Sequence, residues 1–315
     1  MLTLAIRRIV QAVPLLLIIS VVVFALIHAA PGGPLAMYLE NPNVRPEDIA
    51  RLQRSLGLDR SLPVQYMAWL RGFIVGDWGY SFADGRPVLT RILERVPATL
   101  ELIGASMMLA ILASVPAGVL AAARRNGWLD RTVTTASLAG ISLPVFWFGL
   151  LLQLLFAIAL GILPSSGRSS ILDGDFADRV RHLVLPATVL AVANAAVWSR
   201  YLRTSMTRVL AQRFILAAHG RGVPERSVFF HHALRNALLP FVTVLLLDAA
   251  IMVSGAVVTE SVFAWPGLGG LFNEALSRRD YTVLMAFLMM SSVAVVTLNL
   301  IADLSYRVLD PRVRP

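Results

Sequence analysis

The chain has 315 residues, of which 57% are hydrophobic and 15% charged, and its mean hydropathy is +0.70. That is more apolar surface than a water-soluble core hides, so the bilayer is the expected solvent. The absence of Cys excludes disulfides, thiolate metal sites and a Cys nucleophile, and the net charge of +9 reads as a membrane-topology signal rather than a nucleic-acid footprint.

All 28 basic residues are Arg. A phosphate-binding loop of the form G-x-x-x-x-G-K-[ST] sets its Lys on the β- and γ-phosphates, so this chain carries no such ATPase site. ATP-driven work would fall to a partner subunit.

A hydrocarbon core about 30 Å thick takes roughly 20 apolar residues as helix, because unpaired backbone groups are costly in lipid. The first such stretch runs from Ile9 to Ala29 behind Arg7 and Arg8. Its apolar run exceeds the roughly 7 to 15 residues of a cleaved signal peptide, so a retained anchor is expected. The long segment Pro31 to Thr99 follows, with nearly balanced charge. Within it, Arg45 to Leu56 predicts an amphipathic helix with Pro46 at its first position, and Gly76-Asp77-Trp78-Gly79-Tyr80-Ser81-Phe82 is rich in turn residues.

Five more apolar stretches follow: Leu102 to Ala123, Val133 to Leu163, Leu183 to Ser199, Ala237 to Thr259 and Val283 to Leu304. The second of these five is long enough for a tilted helix and an extra turn, and the third is expected to extend into Tyr201 and Leu202. The fold class is therefore an all-α membrane protein with six transmembrane helices.

Arg placement orients them. Arg7 and Arg8, then Arg124, Arg125 and Arg131, then Arg200, Arg203, Arg208, Arg213, Arg221, Arg226 and Arg235, then Arg307, Arg312 and Arg314 all fall on one side. The few acids beside them are Asp130, Glu225 and Asp310. The positive-inside rule makes that side the cytoplasm, with both termini there and the 31–99 segment outside.

The loop between the fourth and fifth stretches, residues 203–237, is too long and apolar for a simple connector. Phe214 to Gly222 predicts a short helix ended by Gly, and Pro224 starts a second with Glu225 in its first turn. Phe229, Ala233 and Ala237, with Phe230, Leu234 and Leu238, repeat at i, i+4 as an apolar face. Two short helices meeting at a Gly form either a compact cytoplasmic knob or a pair of interfacial helices lying on lipid.

Ala217-Ala218, Gly222 and the run His232-Ala233-Leu234-Arg235-Asn236-Ala237-Leu238-Leu239-Pro240 resemble the EAA loop of ABC-importer permeases of the dipeptide and oligopeptide (peptide/nickel) type. Leu216 stands where the general motif has Glu, and Arg235 where many permeases have Pro. The resemblance extends to Gly79-Tyr80-Ser81-Phe82, to Ile141 through Gly149, to His182-Leu183-Val184-Leu185-Pro186-Ala187, to Phe263-Ala264-Trp265-Pro266-Gly267-Leu268-Gly269 and to the tail Leu309-Asp310-Pro311-Arg312. It thus covers essentially the whole chain.

The resemblance implies a B-type permease subunit of the bacterial inner membrane that forms half of a translocation path for di- or oligopeptides. Its implied partners are a homologous second permease, two cytoplasmic ATPase subunits that bind ATP and magnesium, and an extracytoplasmic solute-binding protein. This chain itself would carry no cofactor. The loop would be the coupling helix docked on an ATPase, with Ala217, Ala218, Gly222, Glu225, Arg226, Arg235 and Asn236 as its residues. The expected divisions are residues 1–30, the N-terminal end and first helix; 31–99, an extracytoplasmic subdomain; 100–308, the core permease; and 309–315, a cytoplasmic tail. The same family includes importers of nickel, glutathione and oligosaccharides. Without Cys or clustered intramembrane His, nickel finds little in this sequence.

A charge near the centre of a membrane helix costs at least about 2.5 to 3.5 kcal/mol on insertion scales. Asp248 lies near the middle of the fifth stretch, where related permeases tend to carry Gln. It either meets a cationic group such as a peptide amino terminus or pairs with a polar group across helices. Asn194 and Asn299 are further candidates for the path, and Asp303 sits near the inner interface. Glu260 with Trp265-Pro266-Gly267 marks an external gate or an interfacial anchor for the helix end.

Other classes fit less well. The five His residues never form H-E-x-x-H, no G-x-S-x-G elbow occurs, and adjacent His231 and His232 do not face each other on a helix. An ATP-independent channel or secondary transporter would fit six spans but not the elaborate cytoplasmic loop.

Overall fold

The computed structural model describes residues 2–31, 33–35, 45–55, 57–170 and 174–309. The expected tail beyond Leu309, with Asp310, Arg312 and Arg314, lies outside them. Among the described residues the chain is helical, and its only strand-like feature is an isolated bridge between Tyr80 and Pro87. In chain order the helices are α1 (Leu2–Ala29), α2 (Pro46–Ser55), α3 (Leu62–Val75), α4 (Val88–Ala123), α5 (Trp128–Ser142), α6 (Val145–Leu152), α7 (Phe176–Leu210), α8 (Arg213–Gly220), α9 (Arg235–Val262), α10 (Leu268–Ser277) and α11 (Tyr281–Leu309).

Among the described residues, five segments are long and apolar enough to cross a membrane: Ile6–Ala29, Val88–Ala123, Phe176–Leu210, Glu225–Met252 and Tyr281–Ser305. The third stretch, Val133 to Leu163, expected as a tilted helix with an extra turn, is instead two helices. α5 and α6, with the π-helical Gln153–Ala159 that continues α6, meet at a bend of 100°. The cause is Pro144, which has no N–H for the helix ladder and holds Leu143 extended (φ −78, ψ 122). The α7 helix does run through Tyr201 and Leu202, ending at Leu210.

The chain forms two compact units, Met1–Thr99 with Pro266–Thr297, and Leu100–Trp265 with Leu298–Pro315. In the first, Val23, Phe24 and Ile27 of α1 join Val88 and Ile92 of α4, Leu271 of α10 and Val283 of α11 in one apolar cluster. Most of the remaining α1 surface is exposed apolar side chains, among them Val10, Val13 and Ile18, as suits a lipid-facing helix.

A buried polar knot closes this unit. Asp280 is fully buried and accepts a hydrogen bond of 2.5 Å from the Ser81 hydroxyl. Arg91, only 8% exposed, lies 3.6 Å from Asp280, 3.3 Å from Glu274 and 3.4 Å from Asp84, and donates to Ser81 Oγ at 2.8 Å. The knot fixes the Gly79-Tyr80-Ser81-Phe82 turn to the α10–α11 corner, with Gly79 at φ +75.

In the second unit Trp198, Leu202 and Met206 of α7 are fully buried against α4 and the segment that enters α9. Small residues let the helices approach: a Cβ on Gly118 would lie 2.8 Å from the Ser199 carbonyl oxygen and one on Gly140 3.3 Å from the Ala196 Cβ. Across the same helices Ser137 and Ser199 hydroxyls are 3.0 Å apart. Asp130 of α5 takes both prongs of the Arg203 guanidinium, with Nη2 to Oδ2 at 2.6 Å, and accepts from the Asn126 N–H at 2.9 Å.

Removing one member of a buried ion pair strands the other, at a cost of about 3–5 kcal/mol. Asp280→Ala is therefore expected to lower the Tm of the detergent-solubilised chain sharply. Arg86→Ala, which breaks the exposed Arg86–Glu94 pair, should leave the Tm essentially unchanged. Equal shifts in the two variants would contradict this account of the knot.

Candidate functional site

The loop singled out by sequence is built on helix termini. α8 starts after Gln212, whose carbonyl accepts from the Ile215 N–H at 3.1 Å. It buries Ile215 and Ala218 and exposes Leu216 and Ala217. Its end is a Schellman closure: the Val223 N–H donates to the Ala218 carbonyl at 3.2 Å and the Gly222 N–H to the His219 carbonyl at 2.9 Å. Gly222 sits at φ +74, and a Cβ there would touch nothing within 4 Å, so Gly is required by the backbone and not by space.

After Gly222 the chain departs from the expected pair of short helices. Pro224 opens a turn, Glu225–Ser227, that passes through the π-helical Val228–Leu234 directly into α9. The second arm of the knob is thus the first part of a membrane-length helix. The wider π turn also shifts the buried face: Val228, Ala233 and Ala237 are buried, spaced by five and then four, whereas Phe229 is half-buried and Phe230 exposed.

The structure brings Ala217, Gly222, Glu225 and Arg226 to the surface of one corner. Ala218 is buried under it and packs rather than presents. Arg235 is exposed on the first turn of α9, and the Asn236 amide is used locally, donating to the His232 carbonyl at 2.6 Å.

In the membrane-length part, Asp248 accepts a hydrogen bond of 2.6 Å from the indole N–H of Trp198, which is fully buried. The carboxylate is thus tied across helices through one oxygen. Asn194 donates to the Leu190 carbonyl of its own helix at 2.7 Å, and Asn299 is exposed on α11. Glu260 is fully buried and Trp265 is 1% exposed, with its N–H on the Glu260 carbonyl at 2.8 Å. A ring so enclosed is not the lipid-facing anchor that an interfacial Trp provides. Pro266 is half-buried, and Gly267 is buried and begins α10.

Sequence reasoning missed two polar sets, Ser81–Arg91–Asp280 and Asp130–Arg203. Asp130 and Asp280 each stand beside Arg residues in polar turns, which gives no sign in the sequence that they are buried. Arg203 carries a topology signal in the sequence, and spacing does not reveal partners 73 or 199 residues away.

A helical chain with this many membrane-length segments among its described residues is a polytopic membrane protein. Residues 114–315 match the family model described as "Binding-protein-dependent transport system inner membrane component", and residues 1–103 match the model for the N-terminal part of such components. The chain belongs to this family of multi-pass inner-membrane permease subunits. It is 41% identical over 310 residues to the oligopeptide transport system permease protein AppB of Bacillus subtilis (strain 168), covering 98% of each chain. It is 36% identical over 336 residues to the dipeptide transport system permease protein DppB of Escherichia coli (strain K12), covering 100% of this chain and 99% of that one. In fold it resembles a chain of the MetNI methionine ABC transporter in an inward-facing conformation, with a TM-score of 0.60 at 19% identity, over 71% of this chain and 98% of that one.

The indole bond to Asp248 gives a direct test. Trp198→Phe removes the donor and leaves a partly buried carboxylate short of a partner, a loss of about 1.5–3 kcal/mol. Tm should fall, and adding Asp248→Leu to the same chain should recover part of the loss. A double variant less stable than Trp198→Phe would contradict the pairing.

Proposed function

We propose that this chain is one of two permease subunits of an ABC importer for di- or oligopeptides, and that the α8 corner transmits motion from a cytoplasmic ATPase subunit. The observation that carries the coupling role is the Gly222 closure. It holds α8 as a short arm on the end of a continuous helix, so a push on the arm is a push on α9. Exposed Leu216, Ala217, Glu225 and Arg226 supply the contact surface, and Ala218 supplies its support. The peptide substrate class is supported by the near full-length likeness to AppB and DppB.

In this reading the bent α5–α6 pair counts as one span, giving six, with both termini cytoplasmic by the Arg distribution and the 31–99 segment facing outward to meet a solute-binding protein. Residues 100–308 form the core that pairs with the second permease, and residues 309–315 are a cytoplasmic tail. ATP and magnesium are held by the ATPase subunits. Asp248, with one oxygen on Trp198, offers its other to a peptide amine in the path; Asn194 and Asn299 are lesser members of it, and Glu260 with Trp265, Pro266 and Gly267 shapes the outer gate.

Co-purification of the tagged chain in mild detergent, followed by an ATPase assay, tests the assignment. A second permease and an ATPase should co-purify. Ala217→Trp or Glu225→Arg, both on exposed positions, should cut substrate-stimulated ATP hydrolysis at least about tenfold, the equivalent of 1.4 kcal/mol of docking energy. A chain that purifies alone and moves solute without ATP would overturn the reading. For the path, Asp248→Asn should slow uptake of a free-amine dipeptide more than that of its N-acetylated form, and equal slowing would remove Asp248 from substrate contact.

A further inference from the structure

The first unit contains a cavity of about 430 Å³ walled by the C-terminal turns of α1, the α2–α3 connection, α3, the 77–82 turn and the start of α11. That volume lies within the range of about 300–1,000 Å³ typical of small-molecule sites. Several polar groups in its wall are already used. His28 Nδ1 lies 2.9 Å from the Phe24 carbonyl and Nε2 3.1 Å from Gln65 Oε1. The Gln65 amide nitrogen donates to the Leu58 and Arg60 carbonyls, and the Trp78 N–H donates to the Phe73 carbonyl at 3.0 Å.

What the wall still offers is of two kinds. Asp77, an exposed carboxylate whose Oδ1 accepts one long bond of 3.3 Å from the Gly79 N–H, lines the same cavity as Trp69, Tyr281 and Trp78, the last with one face stacked on Phe73. A carboxylate and aromatic rings lining one cavity both attract an ammonium group, through charge and through the ring quadrupole. Arg54, whose Nε donates to the Ala50 carbonyl at 3.2 Å, and Arg60, both exposed, present guanidinium groups, whose planar fork suits a carboxylate or a phosphate.

We infer that this cavity binds a small zwitterion, its amine held by Asp77 and the aromatic rings and its anionic oxygens by Arg54 and Arg60. Two sources share that chemistry: a free short peptide, and the headgroup of an ethanolamine phospholipid. The inference uses the isolated chain and does not depend on ATP coupling, so its failure and that of the importer reading are told apart by separate experiments.

The test is isothermal titration of the full-length chain in nanodiscs of phosphatidylglycerol, which carries no amine. The probes are alanyl-phenylalanine, its N-acetylated form and phosphoethanolamine. At least one free-amine probe should bind saturably, and both Asp77→Asn and the double variant Arg54→Gln/Arg60→Gln should weaken it at least about tenfold, as expected for a lost hydrogen bond to a charged group. Helical circular dichroism at the wild-type level verifies that the variants fold. Binding of the dipeptide alone, with N-acetylation weakening it, assigns the site to substrate; binding of phosphoethanolamine alone assigns it to lipid; binding of both leaves the zwitterion as its specificity. No saturable binding of either, or binding that either substitution set leaves unchanged, overturns the inference.

Discussion

Much of the structure depends on the internal pairing of buried polar and charged groups. A buried polar group has lost its water partners, and the chain answers with partners drawn from distant elements. Arg91 and the Ser81 hydroxyl meet Asp280, Arg203 meets Asp130, the Trp198 indole meets Asp248, and Arg168 grips Glu101 with bonds of 2.8 and 2.5 Å. Each pair joins elements that apolar packing alone would leave free to slide, because lipid competes equally well for their apolar faces. Specificity of assembly thus rests on a few polar contacts and on small residues such as Gly118 and Gly140 that admit close approach.

The same economy shapes the α8 corner. Its helix is too short to be stable alone, and it is held by burial of Ile215 and Ala218 and by the closure at Gly222. The π-helical turn then carries the chain into α9 without a break in helical backbone. A lever made in this way has a rigid far arm and an exposed near one, which is the mechanical requirement for coupling a soluble motor to a membrane helix.

The helices themselves were legible in the sequence, since apolar length is a strong signal: α1, α7, α9 and α11 follow their expected stretches within the reach of helix extension at each end. The Gly222 stop and the Pro224 start were legible too, because each residue imposes its own backbone geometry. Three features were not. The helix now seen from Val88 was hidden by Arg91, Glu94 and Arg95, which look like external loop until their partners are known. The 100° bend at Pro144 was masked by unbroken hydrophobicity, although the proline that causes it stood in plain view. The buried face after Ser227 was misplaced by one residue, because i, i+4 spacing assumes an α-helix and Val228–Leu234 is π-helical. At the site, Ala217 and Ala218 are adjacent and chemically identical, and only packing separates the one that presents from the one that supports.

The central claim is that the exposed corner of α8 touches the ATPase. With no native Cys in the chain, Ala217→Cys creates a unique thiol for short-arm cross-linking in the assembled transporter. The account predicts a cross-link to the ATPase subunit whose yield changes when ATP is bound. A thiol that cross-links only to lipid-facing or extracytoplasmic components, with the ATPase present and active, would contradict it.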